Sequence, residues 1–313
     1  MFTVRTDSEP IRSHARVALT ILGVVAAMAL STAAVEAAIR VVATTSSMGM
    51  LARMVGGDAV DVTVLAPPDR DAHYLLARPS MMLALRRAEL LITVGAGLEV
   101  AWLPAALQGA SNPRILPGQP GYFEGAAQLM LIEGGQAPDR ALGDVHSAGN
   151  PHFYMDPERM ATLALAVADR LARLDPDHRT GYEARAIAFG EAVEARVPGW
   201  RVAARDASGV VLYHKDINYL AAFLGVPVLG YIEPIPGIPP TASHLRDLVR
   251  GLAGTKGVIL HTSFQPRDGP EFLARNLGWT RTQLQLEVPL DADGAGYLDH
   301  IEAWVDALVG SES

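Results

Sequence analysis

Nine histidines and no cysteine set the coordination chemistry open to this chain. Without thiolates there is no disulfide, no iron–sulfur cluster, no Cys-based zinc site and no cysteine nucleophile. Any metal site must be built from His, Asp and Glu. Three histidines follow expected strands or lie in the loops between elements. His73 lies in Pro67-Pro68-Asp69-Arg70-Asp71-Ala72-His73-Tyr74. His152 lies in Gly149-Asn150-Pro151-His152-Phe153-Tyr154-Met155-Asp156-Pro157. His214 follows Val211-Leu212-Tyr213 and precedes Lys215-Asp216. Neutral imidazole is the commonest side-chain metal ligand and suits zinc and its first-row neighbours. A lone histidine after a strand is more often a loop residue with no ligand role, and spacing alone does not bring the three together.

The elements around them alternate. Ile39–Thr45 reads as a buried strand and Met48–Val55 as a helix. Val60–Leu65 is a second strand, stopped by Pro67-Pro68. Ser80–Ala88 is helical, and Glu89–Val94 is a third strand that ends at Gly95 and Gly97. From Ser111 to Pro151 the chain is rich in Gly, Pro, Asn and Asp and reads as irregular, with short elements. Two long helices follow, Glu158–Leu174 and Asp177 to about Arg205, separated by Asp175-Pro176. The second carries Tyr182, Ile187, Phe189 and Val193 as its apolar positions. The βα pattern then restarts: strands at 210–213, 226–232, 257–260 and 284–286, with helices at 219–224, 243–253, 270–277 and 297–309. The expected fold class is α/β, with two βα lobes on mostly parallel sheets and a cleft where strand ends and loops converge.

Composition excludes several functions. Half of the residues are hydrophobic and 19% are charged, as in globular rather than disordered chains. A formal net charge of −8 argues against nucleic acid as a partner, because phosphate recognition needs clustered Lys and Arg. Arg12 and Arg16 precede the apolar run Val17–Leu30, and small residues follow it up to Ala38. That pattern is a cleavable secretory signal. The run is short for a membrane span of ~20 residues. The mature protein is expected to begin near Ala38 or Ile39, soluble in the periplasm.

With these residues in place, the chain resembles the metal-binding subunits of ABC importers for zinc and manganese, the TroA-like cluster A-I solute-binding proteins. Four segments carry the resemblance: Asp71-Ala72-His73-Tyr74 with Arg78-Pro79-Ser80; the Asn150–Pro157 segment; Tyr213-His214 with Tyr219–Gly225; and Asp293-Gly294 with Tyr297-Leu298. The resemblance implies an N-terminal lobe over 39–175, a rigid connecting helix over 176–205 and a C-terminal lobe over 206–313, after a signal peptide over 1–38. It implies a metal site between the lobes, with His73, His152 and His214 as ligands. It implies a monomer that hands its ion to the membrane permease of an ABC importer. Histidine at the third position is typical of zinc-preferring relatives, whereas manganese-preferring ones tend to carry glutamate. Three imidazoles also suit Zn2+ better than Mn2+, which favours oxygen.

The sequence departs from that pattern at the fourth ligand, usually an aspartate before Pro-Leu. Here the text is Leu286-Glu287-Val288-Pro289-Leu290-Asp291. Glu287 is the nearest match. Asp291 and Asp293 compete with it, His261 could replace a missing ligand or sit behind one, and water could complete the shell. Of the long histidine-rich loop that many zinc relatives carry, only His146 remains. The Pro-rich segment before His244 is expected to stiffen the cleft rim through fixed φ angles. The expected function is high-affinity zinc binding for import. The alternatives are a manganese carrier, a metal-dependent adhesin and a metallohydrolase with Glu287 as base, and no HExxH motif supports the last.

Overall fold

Val41, Val42 and Ala43 are buried in the first strand, as a strand covered on both faces requires. This strand, β1 (Ile39–Ala43), is the second of four parallel strands in the first lobe. The computed structural model describes residues 1–3, 38–134 and 148–310. The expected signal sequence falls on 1–38, and its positions 4–37, like His146, lie outside the described residues. Among the described residues no helix is long and apolar enough to cross a membrane.

After β1 come α1 (Ser46–Gly56), β2 (Val60–Val64), α2 (Pro79–Arg87), β3 (Leu90–Thr93), α3 (Leu103–Ala110) and β4 (Tyr122–Glu124). The sheet order is β2-β1-β3-β4. The order reverses between β1 and β3, and such a switch point opens a crevice at the carboxyl ends of the strands. Glu99 fastens those ends together. Its buried carboxylate accepts from Thr44 Oγ1 (2.6 Å) and Val94 N (2.8 Å) at Oε1, and from Gly95 N (3.0 Å) at Oε2. Burial pushes this carboxyl above its usual range against those three bonds.

Two helices separate the sheets, α4 (Pro157–Leu174) and α5 (Arg179–Ala204). They pack on each other, and α5 also packs on α1 and on the last helix. Tyr182, Phe189, Val193 and Trp200 are buried along α5, whereas Ile187, expected on the apolar face, is 53% exposed. Burying each large apolar side chain contributes roughly 1.5–3 kcal/mol. One continuous core runs from Val41 and Ile92 through these α5 residues to Val210 and Leu260, so the helix is shared structure for both lobes.

The second lobe repeats the first. It consists of β5 (Val210–Leu212), α6 (Asn218–Leu224), β6 (Val228–Tyr231), α7 (Ala242–Leu252), β7 (Val258–Thr262), α8 (Asp268–Leu277), β8 (Arg281–Leu284) and α9 (Gly294–Val309). Its strands are parallel in the order β6-β5-β7-β8. Several details differ from expectation, three of them here. α3 is a short helix with proline in its first turn, and β4 is three residues long; neither is long enough to show a period. β8 lies at 281–284 rather than 284–286, because an edge strand accepts the half-buried polar residues Arg281, Thr282 and Gln283.

Candidate metal centre

Each of the three histidines is fixed by a local device. His73 sits in a short turn, Ala72–Tyr74, in the loop between β2 and α2. Asp71 Oδ1 accepts from His73 N at 2.9 Å and lies 2.8 Å from His73 Nδ1. The same carboxylate therefore caps the turn and orients the ring. Burial raises the Asp71 carboxyl, but the His73 hydrogen bond and charge outweigh it and hold the group below its usual range.

His152 begins the approach to α4. Asn150 Oδ1 accepts from His152 N at 2.9 Å, while Asn150 Nδ2 donates to Lys215 O in the second lobe at 2.9 Å. Tyr219 Oη donates to Asn150 O at 2.7 Å. Asp156 caps α4 by accepting from Arg159 N at 3.1 Å, with Pro157 in the first turn. His152 Nδ1 lies 2.8 Å from Tyr154 Oη. Burial, then the charges of Glu287 and Asp216, push the Tyr154 phenol well above its usual range, so it stays protonated. The Asn-Pro-His-aromatic run thus combines an inter-lobe tie, an orienting phenol and a helix cap.

His214 follows β5, with Nδ1 2.6 Å from Glu233 Oε2. Parallel pairing of β5 with β6 aligns Leu212 with Tyr231, and Glu233 N donates to Tyr213 O at 2.9 Å. Burial lowers the His214 imidazolium's stability, but the hydrogen bond to Glu233 and nearby Asp216 and Glu233 charges win, and its pKa is raised.

The three rings meet. Their centroids are 5.2 Å (His73 to His152), 5.9 Å (His73 to His214) and 5.6 Å (His152 to His214) apart. One ligand atom from each lies within 4.8 Å of the other two, and among the described residues this is the one such cluster of three or more His, Asp or Glu. Asp71, Tyr154 and Glu233 each engage an Nδ1, so an ion entering the cluster would meet the Nε2 nitrogens. Orienting a ligating imidazole through its other nitrogen is the usual outer support of a metal site. The rings face a cavity of about 310 Å³ that Asp71, Asp216 and Glu233 also line. These carboxylates would offset the charge of a dication.

The remaining candidates are not among these three ligands. Glu287 is not within the three-histidine cluster. It is buried, and its Oε2 accepts from Ser47 N at 2.7 Å and Ser46 Oγ at 3.1 Å, at the N-terminus of α1. Its Oε1 is buried with no hydrogen-bond partner among the described residues. His261 lies inside β7, which extends to Thr262, and accepts from Arg281 Nη1 at 2.9 Å, outside the cluster. Asp291 is exposed, and Asp293 caps α9 by accepting from Gly296 N at 2.8 Å. Reasoning from the sequence did not single out Asp71, Tyr154, Asp216 or Glu233. Asp71 and Tyr154 each stand two residues from their histidine, a spacing that could have marked them. Asp216 stands two residues past His214 in the same way. Glu233 gives no local signal, because only the strand pairing brings it to His214.

Two parallel-sheet lobes on a shared helix, with imidazoles from both converging on one cleft, define a two-lobed α/β solute-binding protein for a metal ion. Residues 41–311 match the family described as zinc-uptake complex component A, periplasmic. The chain belongs to that family. It is 26% identical over 252 residues to the high-affinity zinc uptake system protein ZnuA of Yersinia pestis, covering 76% of this chain and 77% of that one. Its fold is similar to a crystal structure of ZnuA, with a TM-score of 0.71 and 21% identity over 86% of this chain and 99% of the other. It is equally similar to the solute-binding protein FpvC of Pseudomonas aeruginosa in complex with Mn2+, with a TM-score of 0.71 and 20% identity over 88% and 98%.

Proposed function

We propose that this protein captures zinc in the periplasm and delivers it to the permease of an ABC importer. The ion is held by Nε2 of His73, His152 and His214, with Glu287 as fourth ligand. The observation that carries this is the set of three Nδ1 partners, Asp71, Tyr154 and Glu233, which turn three imidazoles from both lobes to one point. A closed zinc site takes four N or O ligands in a tetrahedron at roughly 2.0–2.2 Å. Glu287 supplies the fourth through Oε1, the buried oxygen with no other partner among the described residues. Its Oε2 stays on α1, so the ligand bridges the two lobes. With four protein ligands no place is left for a reactive water, and the site carries its ion without chemistry on a substrate.

The test is a competition titration of zinc and manganese into the wild type, with a plain hexahistidine peptide as the control for the general preference for zinc. One tight site per chain, with a zinc preference beyond that of the control, is expected. Tighter manganese binding would overturn the metal assignment, and equal zinc affinity in the wild type, His152→Ala and His214→Ala would move the site out of the cleft.

A further inference from the structure

Glu233 uses both carboxylate oxygens. Oε2 meets His214 Nδ1 at 2.6 Å, and Oε1 accepts from Gly237 N at 3.0 Å. Gly237 belongs to the run Pro234-Ile235-Pro236-Gly237-Ile238-Pro239-Pro240 between β6 and α7. Ile238 N donates to Ile235 O at 2.9 Å, and Gly237 has φ +80°. Proline followed by glycine at positive φ, closed by that bond, is the pattern of a type II turn. Pro236 limits the turn's freedom and Gly237 supplies a conformation that other residues adopt only with strain. The prolines offer no N–H, so the turn has few amides with which to attach itself to the protein. The Gly237 amide goes to Glu233. Gly237 and Pro239 line the same cavity as the three histidines.

We propose that Glu233 is a latch that couples an ion on His214 to the rigidity of the proline-rich rim of the cleft. The coupling rests on the zinc-binding reading above and deepens it. A dication on His214 Nε2 draws electron density from the ring and makes Nδ1–H a stronger donor. The Glu233 carboxylate is then held more firmly, and through its second oxygen so is the turn at Gly237. When the ion leaves, both bonds weaken and the rim loosens. Glu233 is a positioning residue that sets how long the ion stays. Asp71 performs only half of this task, since it orients His73 and has no contact with the rim among its hydrogen bonds.

The chemistry of the carboxylate gives the test. Glutamine has one acceptor oxygen where two separate donors need one each. Glu233→Gln therefore sets an NH2 group against either His214 or Gly237. The readouts are the zinc release rate, by chelator competition, and exchange of the Gly237 amide with and without zinc, by NMR of glycine-labelled protein. In the wild type, zinc should slow that exchange about tenfold, equivalent to roughly 1.4 kcal/mol. In Glu233→Gln, release should accelerate by about tenfold to a hundredfold, and zinc should leave rim exchange unchanged. Asp71→Ala should lose affinity in the same range yet keep the zinc-dependent protection. Gly237→Ala, which strains the turn and keeps the carboxylate, should also speed release, and this keeps the test open if Glu233→Gln folds poorly. Zinc-dependent protection in Glu233→Gln equal to wild type, or unaltered release in Gly237→Ala, would overturn the latch. Zinc binding by the wild type without rim protection overturns the latch alone. No zinc binding by the wild type overturns the function proposed above and the latch with it.

Discussion

His214 Nδ1 stands 2.6 Å from Glu233 Oε2 although nineteen residues separate them in the chain. The relationship is produced by topology. β5 and β6 are parallel neighbours, so the residues just past their carboxyl ends are brought side by side. The groups that orient the other two histidines, Asp71 and Tyr154, instead stand two residues away along the chain.

The ligand and support residues should separate by magnitude. Removing an outer hydrogen-bond partner of a metal ligand typically costs about 10–100-fold in affinity. Tyr154→Phe and Asp71→Ala are expected in that range, because each leaves the imidazole in place but less well oriented. His73→Ala, His152→Ala and His214→Ala remove a bond to the ion and should each cost more than either. Isothermal titration of the five variants checks the order. A Tyr154→Phe loss as large as that of His152→Ala would show that the phenol does more than orient.

How far the site could be read from the sequence follows from the same geometry. His73, His152 and His214 were visible as histidines after strands or in loops, and the alternation of strands and helices gave both lobes. Convergence was not visible, because it depends on Asn150 bonding across to Lys215 and on the common core around α5. The sequence reading ends β7 at Leu260 and so places His261 one residue past the strand. Two more strand residues put it inside the sheet against Arg281, and its chemistry changed with its place. α3 gives no signal, and β4 cannot be told apart within a stretch expected to hold short elements, because eight and three residues carry too little periodicity.

Glu99 should be one of the costlier positions in the first lobe. It is 3% exposed and accepts from Thr44 Oγ1, Val94 N and Gly95 N. Glu99→Ala leaves Thr44 Oγ1 and Gly95 N unmatched and Val94 N with only its longer bond to Thr44 Oγ1 (3.3 Å), at roughly 1–3 kcal/mol for each donor that water does not reach. A loss of about 3 kcal/mol or more in urea denaturation is expected. The carboxyl end of β3 should exchange its amides faster in this variant, and a loss below about 1 kcal/mol would mean that solvent takes over the acceptor role.

His261 should make the fold acid-sensitive in a defined window. Burial, then the Arg281 charge, lowers its pKa from 6.5 to about 4. Above pH 6.5 the ring is neutral in both the folded and unfolded chain and contributes no pH dependence. Between 6.5 and about 4 the unfolded chain binds a proton that the native state refuses, so stability falls as pH falls. Below about 4 both states are charged and the loss is complete, at about 3 kcal/mol. Denaturation at a series of pH values should show this slope in the wild type. It should be reduced in His261→Gln, which keeps an acceptor for Arg281 but has no proton to gain. An unchanged slope would assign the acid sensitivity to other groups.

The fourth position on the ion decides between carriage and catalysis. Glu287 Oε2 is held by Ser46 and Ser47 at the start of α1, and Oε1 has no other partner among the described residues. In Glu287→Gln the amide oxygen can keep the bond from Ser47 N, which leaves the NH2 group where the ion would find an oxygen. Zinc affinity should fall, while the melting temperature without zinc should change little. His261→Ala should leave zinc affinity nearly unchanged, because the ring lies within β7 with its Nε2 committed to Arg281. If His261→Ala weakens zinc and Glu287→Gln does not, the assignments exchange. If neither change matters, water completes the tetrahedron. The site then has the open position that a hydrolytic zinc requires, and Asp216, which lines the same cavity, becomes a candidate for a base. Titrating zinc into the two variants side by side, with a hydrolysis assay on the wild type, separates these outcomes. The buried Oε1 of Glu287 favours the first.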